Sequence, residues 1–220
     1  HGPLVETCRR RREAALVQLG SAVMVLPSAS AQYRSGDTEY RYRPDSELYY
    51  LTGTTEPDTL MVLVGGSDPR FVLFVRPRDE GEELWTGPRL GPDVAAERFG
   101  TDECYPLAEM DARLPGLLQA GERIHYRLGA SERADGFVRR ALEQARSSGR
   151  RRGTGPRGLI DPGEILDELR LRKDAQEIEA IRSAARVSAE GHRLGAAAVA
   201  GGVGEWVVEA ALEAGFRAAG

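Results

Sequence analysis

The chain has 220 residues and a net charge of −4, with 41% hydrophobic and 29% charged residues. This composition suits a folded protein with a sizeable core, and the small negative charge gives no reason to expect a nucleic acid or an anionic membrane as partner. No apolar run approaches the roughly 20 residues of a membrane helix, and the cysteines Cys8 and Cys104 lack the spacing of a disulfide framework. We therefore expect an α/β protein of the cytoplasm.

The first half of the sequence predicts a sheet flanked by helices. Residues 5–19 have helical apolar spacing, and the arginine run 9–12 is interpreted as a solvated helix face, with a nucleic-acid patch as the alternative. Four short apolar runs predict strands: 21–27, 47–53, 58–66 and 71–77. A Gly/Ser/Asp/Pro turn joins the last two and predicts a hairpin. A short helix is expected at 93–100, with Asp93 as N-cap and Gly100 just beyond its end.

The middle of the chain predicts a helix at 108–121, bent by Pro115, a strand at 123–128 and a helix at 131–149 with Ser131 as N-cap. Residues 147–158, SSGRRRGTGPRG, offer no large apolar side chain to pack. This stretch is the clearest predicted domain boundary, and it divides the chain into 1–158 and 159–220.

The last part of the chain is predicted to be helical. Asp161 and Pro162 form a helix-start signature, and Asp174 with Glu177 predicts a capping box for a long helix at 173–194. A final helix covers 205–220. Both long helices carry apolar stripes with almost no strand to cover. We expect them to begin a second domain whose sheet lies beyond the last residue. The alternative is that both pack on the first sheet.

The sequence contains no recognisable catalytic constellation. The histidines His1, His125 and His192 have no partner at metal-ligand spacing, and neither cysteine has an activating context. The glycine-rich pieces GTGPRG and GGVGE do not follow strands as a phosphate-binding loop does, so they are interpreted as turns. We predict neither catalytic nor metal-binding residues.

Two residues are candidates for recognition. Trp85 lies in the Gly/Pro-rich stretch 83–93, ELWTGPRLGPD, predicted to be a loop. An aromatic side chain there is either buried as an anchor or displayed for binding. Arg150 lies in the predicted boundary loop, where it is either solvated or offers a carboxylate a bidentate partner.

Three blocks of the sequence together resemble the N-terminal half of the Xaa-Pro aminopeptidases (aminopeptidase P). They are RPDSELYYLTGTTEPD from residue 43, ELWTGPRLGPD from residue 83 and ELRLRKDAQEIEAIRSAA from residue 168. The resemblance runs in order from about residue 9 to the end. It implies a creatinase/aminopeptidase P type N-terminal domain, a mixed β-sheet flanked by helices, followed by the helical start of an incomplete α+β pita-bread catalytic domain.

The resemblance also implies a function. Members of this family remove an N-terminal residue that precedes proline. They use two divalent metal ions, usually manganese, held by two Asp, one His and two Glu that all lie C-terminal to the stretch matched here. This chain is thus expected to bind no metal and to be inactive alone. It would shape the substrate cleft of a homo-oligomer, a dimer or tetramer, acting on peptides with proline in second position.

Only two residue roles carry over from the family. Trp85 matches a tryptophan that reaches towards a neighbouring subunit's active site, and Arg150 matches an arginine near the peptide-binding region. The alternatives are an Xaa-Pro dipeptidase, which the W-x-G-x-R-x-G block disfavours, and a non-catalytic peptidase-like binding module, for which no charged extension is visible. Creatinase-like chemistry without metal fits the N-terminal motifs poorly.

Overall fold

The protein is described from a computed structural model that covers residues 3–152 and 155–220, without the side chains of residues 3 and 148–152. The chain forms two compact units, His1–Leu169 and Arg170–Gly220. The division predicted at residues 158 and 159 remains a prediction about the domain architecture.

A six-stranded mixed sheet organises the first unit. Its strands are β1 (Val23–Pro27), β4 (Leu60–Val64), β5 (Arg70–Val75), β6 (Glu103–Pro106), β7 (Ile124–His125) and β8 (Leu159–Ile160). They are arranged in the order β6-β5-β4-β1-β7-β8. The pairs β1–β4 and β4–β5 are antiparallel, which confirms the predicted hairpin, whereas β5–β6, β1–β7 and β7–β8 are parallel. A separate two-stranded hairpin, β2 (Tyr33–Ser35) and β3 (Thr38–Glu39), was not predicted.

Helices cover both faces of this sheet, as the α/β prediction requires. In chain order they are α1 (Pro3–Leu19), α2 (Ser46–Thr52), α3 (Glu80–Thr86), α4 (Gly91–Phe99), α5 (Met110–Gln119), α6 (Glu132–Arg152) and α7 (Gly163–Leu171), and a 3₁₀ turn, Leu107–Glu109, precedes α5. Side chains from α1, α2, α4 and α7 pack on one face, and those from α5 and α6 pack on the other. Along β1, Met24 and Leu26 join the first core while Val23 and Val25 join the second, because successive strand residues point to opposite faces.

The strand predicted at 47–53 is wrong, because this stretch forms helix α2. The Asp45 carboxylate caps the helix by accepting hydrogen bonds from the backbone N–H groups of Glu47 and Leu48, both at 2.9 Å. Gly53 ends the helix in the left-handed conformation, with φ of 73°, and donates its N–H to the Tyr49 carbonyl. Thus a cap and a stop glycine override the β preference of the tyrosines.

Other boundaries also differ from the sequence prediction. The predicted strand at 123–128 is only two residues long, and β6 and β8 were missed. Asp93 does not cap α4, because the helix begins earlier, at Gly91, with Pro92 in its first turn. Helix α6 continues through Arg152, so the loop predicted from residue 147 begins later than expected. Gly100 ends α4 as predicted, with φ of 63°.

The arginine run of α1 is only partly solvated, which corrects the prediction of a solvated face. Arg12 is 4% exposed and donates to the carbonyl oxygens of Leu51 at 2.8 Å and Phe99 at 3.2 Å. Its guanidinium carbon also lies 4.0 Å from the centroid of the Phe71 ring. Both carbonyls lie at helix C-terminal ends, where backbone acceptors lack intrahelical partners. Arg12 therefore joins α1 to the ends of α2 and α4.

The second unit contains two helices, α8 (Ala175–Ala198) and α9 (Glu205–Ala218), that pack on each other. The predicted capping box is present, since the Asp174 carboxylate accepts from the Glu177 N–H and the Glu177 carboxylate accepts from the Asp174 N–H. Gly191 allows close packing, because a methyl group there would lie 2.2 Å from the Phe216 ring. Large apolar side chains such as Ile181 and Trp206 remain 55% and 73% exposed. Across the described ranges, no helix combines the length and apolar content of a membrane span.

Candidate functional site

Trp85 lies on α3, a short helix, rather than in the predicted loop. The Asp79 carboxylate accepts the Glu82 N–H at 3.0 Å at the start of the helix. Gly87 ends it with φ of 83° and donates its N–H to the Glu83 carbonyl. The Trp85 side chain is 86% exposed, so it does not serve as a buried anchor within this unit. The alternative of a buried anchor is therefore not found within this unit, and the role of Trp85 in binding remains a prediction.

Two arginines, one before and one after α3, form ion pairs with glutamates of this helix. Arg78 precedes the helix and donates through Nε and Nη2 to the two carboxylate oxygens of Glu83, both at 3.3 Å. This hydrogen bonding holds the pKa of Glu83 below its ordinary value. Arg89 follows the helix, and its largely buried side chain donates to the Glu82 carboxylate. Contacts on both sides thus restrict how far the exposed helix can move.

Glu56 connects α3's flank to the segment after α2. Its carboxylate Oε1 accepts the backbone N–H of Leu90 at 2.9 Å, and its own N–H donates to Thr54 Oγ1 at 3.3 Å. Next to Leu90, Gly91 has φ of 69°, and a methyl group there would lie 2.8 Å from Cγ of Arg78. Thus the stretch 43–64 and the stretch 83–93, separate in sequence, are joined in the fold.

The exposed side chain of Trp85 gives α3 an apolar surface. An exposed indole offers a broad apolar face and one N–H donor, which suit contact with a proline ring or another apolar side chain. The neighbouring Leu84 is 80% exposed and widens the apolar surface. The Trp85 side chain itself carries no ionisable group, so it cannot serve as a general acid or base.

Sequence reasoning missed the residues that hold this helix: Arg78, Glu83, Arg89 and Glu56. The motif E-x-W-x-G-x-R-x-G already contains two ion-pairing residues of this region: Glu83, which pairs with Arg78, and Arg89, which pairs with Glu82. An arginine in a Gly/Pro-rich stretch following several glutamates is a usable signal for ion pairing, although it does not reveal which partner each side chain takes.

Arg150, the second candidate, lies near the C-terminal end of α6, and its side chain falls outside the described residues. Its role and any relation to Trp85 stay predictions.

The described residues provide no donor set for a metal centre, since no three His, Cys, Asp or Glu side chains among them converge on one point. Cys8 and Cys104 form no disulfide with each other; Cys8 is buried, and burial raises the pKa of the Cys104 thiol to about 11. A thiol with so high a pKa is a poor nucleophile at neutral pH. The two divalent ions of the resembling family therefore do not fit the described part of this chain, and no reaction step is assigned to it.

The comparison with protein families decides the relationship. The family model described as "Aminopeptidase P, N-terminal domain" matches residues 8–125, more than half of the chain. The chain belongs to this family.

Curated relatives and solved structures agree with the family match. The chain is 37% identical to the Xaa-Pro aminopeptidase of Escherichia coli over 188 residues, which cover 84% of this chain and 42% of the relative. It superposes on proline aminopeptidase P II from Yersinia pestis with a TM-score of 0.90 at 33% identity, covering 98% of this chain and 50% of that one. The low-pH form of E. coli aminopeptidase P gives a TM-score of 0.90 at 32% identity. The chain thus spans about half the length of the relatives it matches.

Proposed function

We propose that this chain is the N-terminal part of a metal-dependent Xaa-Pro aminopeptidase that releases an N-terminal residue preceding proline. The proposal is supported by the family match and by the names of the relatives from E. coli and Yersinia pestis. An Xaa-Pro dipeptidase remains the second candidate within enzymes.

The metal chemistry belongs, on this proposal, to the part of the protein that the relatives have and this chain does not cover. Two divalent ions, manganese in the first instance, would supply Lewis-acid chemistry for peptide hydrolysis there. Since the described residues contain no converging donor set, the chain alone is proposed to be inactive. The whole protein is proposed to be a cytoplasmic homo-oligomer, with α8 and α9 opening its catalytic domain.

Substrate-cleft shaping is the role proposed for the first unit, and one observation carries it: Trp85 is 86% exposed on a helix held by ion pairs on both sides. Large exposed aromatics held on a rigid support are typical of recognition sites, because little side-chain freedom is lost on binding. In an oligomer, Trp85 would contact substrate bound to a neighbouring subunit.

The test compares Trp85→Ala with Val17→Ala in the full-length protein. Val17 is the control, since it is 83% exposed but lies on another helix, α1. We expect Trp85→Ala to raise KM for peptides longer than Xaa-Pro-Xaa about tenfold, in line with the loss of one aromatic contact, while kcat and thermal stability stay unchanged. Equal kinetics for the two variants on long peptides would refute the recognition role.

A separate experiment tests the proposed division of labour. The purified 220-residue chain is incubated with an Xaa-Pro-Xaa peptide, with added manganese and with chelator. No cleavage in either condition is expected. Manganese-dependent cleavage that chelator abolishes would show that this chain contains its own metal centre and would overturn the proposal.

A further inference from the structure

The polar segment that follows α2 is held in place by buried hydroxyl groups. Thr52, Thr54 and Thr59 are each only 2% exposed. Thr52 Oγ1 accepts the Thr54 N–H at 3.1 Å, and Thr54 Oγ1 accepts the Glu56 N–H at 3.3 Å. Thr59 Oγ1 donates to the Glu56 carbonyl oxygen at 3.2 Å. Because buried polar groups keep their hydrogen bonds, these contacts fix the backbone at Glu56.

The half-buried side chain of Glu56 reaches the start of α4. Its Oε1 atom accepts the backbone N–H of Leu90 at 2.9 Å. Leu90 is the N-cap of α4 and has no side-chain acceptor for its own helix. Glu56 thus takes, from another part of the chain, the role that a glutamate in the first helical turn plays in a capping box. A carboxylate is favoured at this end, because the helix N-terminus carries partial positive charge.

The segment 78–91, which contains α3, closes on itself. A methyl group at Gly91 would lie 2.8 Å from Cγ of Arg78, so the two ends of the segment are in close contact. The ion pairs within the segment fix its internal shape, whereas the hydrogen bond between Leu90 and Glu56 joins it to the segment after α2. The Leu90 side chain also packs against the first core. Moving Leu90 would therefore move α3.

We propose that Glu56 is a positioning residue for peptide recognition by Trp85. It sets where α3 lies on the first unit, and it thereby determines how well longer peptides bind rather than how fast they are cleaved. The inference rests on the recognition role proposed above for Trp85. Its structural part, the order of α3, is measured without any activity.

The first test measures the backbone mobility of α3 in the 220-residue chain by NMR relaxation. Glu56→Ala removes the acceptor, Glu56→Gln keeps an oxygen that can accept the same N–H, and Glu97→Ala, exposed on α4, is the matched control. We expect Glu56→Ala to lower the order parameters of α3 from about 0.85, typical of a rigid backbone, to about 0.6. Those of β4 and β5 should not change, which distinguishes local loosening from loss of the fold. Glu56→Gln and the control should keep α3 rigid.

The second test measures peptide hydrolysis by the full-length protein. On peptides longer than Xaa-Pro-Xaa, Glu56→Ala should raise KM about threefold, as expected for the loss of one hydrogen bond, with little change in kcat. Glu56→Gln should restore the KM. Because Glu56 acts through Trp85, the double variant Glu56→Ala/Trp85→Ala should have the same KM as Trp85→Ala alone, whereas an independent contribution would add to it.

The two tests distinguish failure of this proposal from failure of the recognition role. Unchanged order parameters of α3 in Glu56→Ala would overturn the proposal even where Trp85→Ala raises KM, because recognition would then not depend on Glu56. A KM effect that Glu56→Gln does not restore, or that adds to the effect of Trp85→Ala, would also overturn it. A mobile α3 with unchanged KM in both Glu56→Ala and Trp85→Ala would refute the recognition role itself, and Glu56 would then be a structural contact only.

Discussion

Replacing the buried Arg12 should destabilise the first unit. Lysine, the conservative replacement, should lower the unfolding free energy more than methionine does. Arg12→Met removes the donors of two buried carbonyl oxygens, those of Leu51 and Phe99, and each unpaired acceptor costs about 1–3 kcal/mol. The contact with the Phe71 ring adds about 1 kcal/mol. Part of this loss in unfolding free energy is offset, because the substitution also removes the cost of burying the Arg12 charge.

Burial lowers the pKa of Arg12 to about 10, which corresponds to roughly 3 kcal/mol against the charged form. Methionine removes that penalty together with the hydrogen bonds. The net loss in unfolding free energy for Arg12→Met is therefore about 2 kcal/mol, or about 4–8 °C in Tm for a chain of this size. Arg12→Lys should be more damaging, because a compact ammonium is more strongly hydrated and cannot bridge two carbonyls in the same fork geometry.

Urea unfolding of the purified chain measures these differences, with Arg10→Met as control because Arg10 lies on the same helix and is exposed. The control should change the unfolding free energy by no more than about 0.5 kcal/mol. An Arg12→Met variant as stable as the control, or an Arg12→Lys variant as stable as the unmodified chain, would contradict the assigned role of Arg12.

Three further perturbations test local features of the first unit. Asp45→Ala should lower the unfolding free energy by about 1 kcal/mol through loss of the α2 cap, whereas Asp93→Ala, which removes no cap, should have little effect; equal values in urea unfolding would contradict the capping assignment. Gly65→Ala places a methyl group 2.1 Å from a backbone carbonyl oxygen and should cost at least about 2 kcal/mol, while Gly158→Ala, with open space around it, should be tolerated; a thermal melt that shows no difference would exclude this tight packing. Hydrogen bonds from Arg127 lower the pKa of Asp161, so the stability that its carboxylate contributes is present above its ordinary pKa of 3.8 and is lost as pH falls below it. Asp161→Asn should therefore reduce the loss of unfolding free energy in acid, and an unchanged dependence on pH would refute this.

The sequence predicted the central strands well because their signal is local. The apolar runs of β1, β4 and β5 are long enough to be recognised, and the turn between β4 and β5 contains its own Gly, Ser, Asp and Pro. The strand prediction at 47–53 was wrong because two tyrosines and a threonine in that stretch favour a strand, whereas the structure has helix α2 there. The deciding signals, Asp45 before the segment and Gly53 after it, were outweighed by that composition. β8, two residues long, was missed because it is fixed by pairing with β7, a partner distant in sequence. β7 was predicted at 123–128, but its actual length of two residues depends on its pairing with β1 and β8.

The candidate site was predictable only in part for the same reason. One sequence motif was enough to select Trp85 as a candidate. The ion pairs Arg78–Glu83 and Arg89–Glu82 around it were not predictable, because these partners come together only in the fold. Arg12 shows the opposite error: a run of four arginines indicates a solvated face, yet one of them is buried because two helix ends supply carbonyls for it. The sequence shows how many charged side chains the protein has. Only the fold determines which of them are paired or buried.

The two motif blocks of the first unit, which start at residues 43 and 83, are connected by hydrogen bonds in the fold. Asp45 and Gly53 fix the beginning and end of α2, and the segment after α2 places Glu56 where its carboxylate accepts the Leu90 N–H. Leu90 follows Arg89, which is paired with the acidic face of α3. The contacts therefore lead from the buried sheet to an exposed tryptophan without a long flexible segment between them. The packing of the first unit can in this way set the position of the exposed Trp85 side chain, as its proposed role in substrate recognition requires.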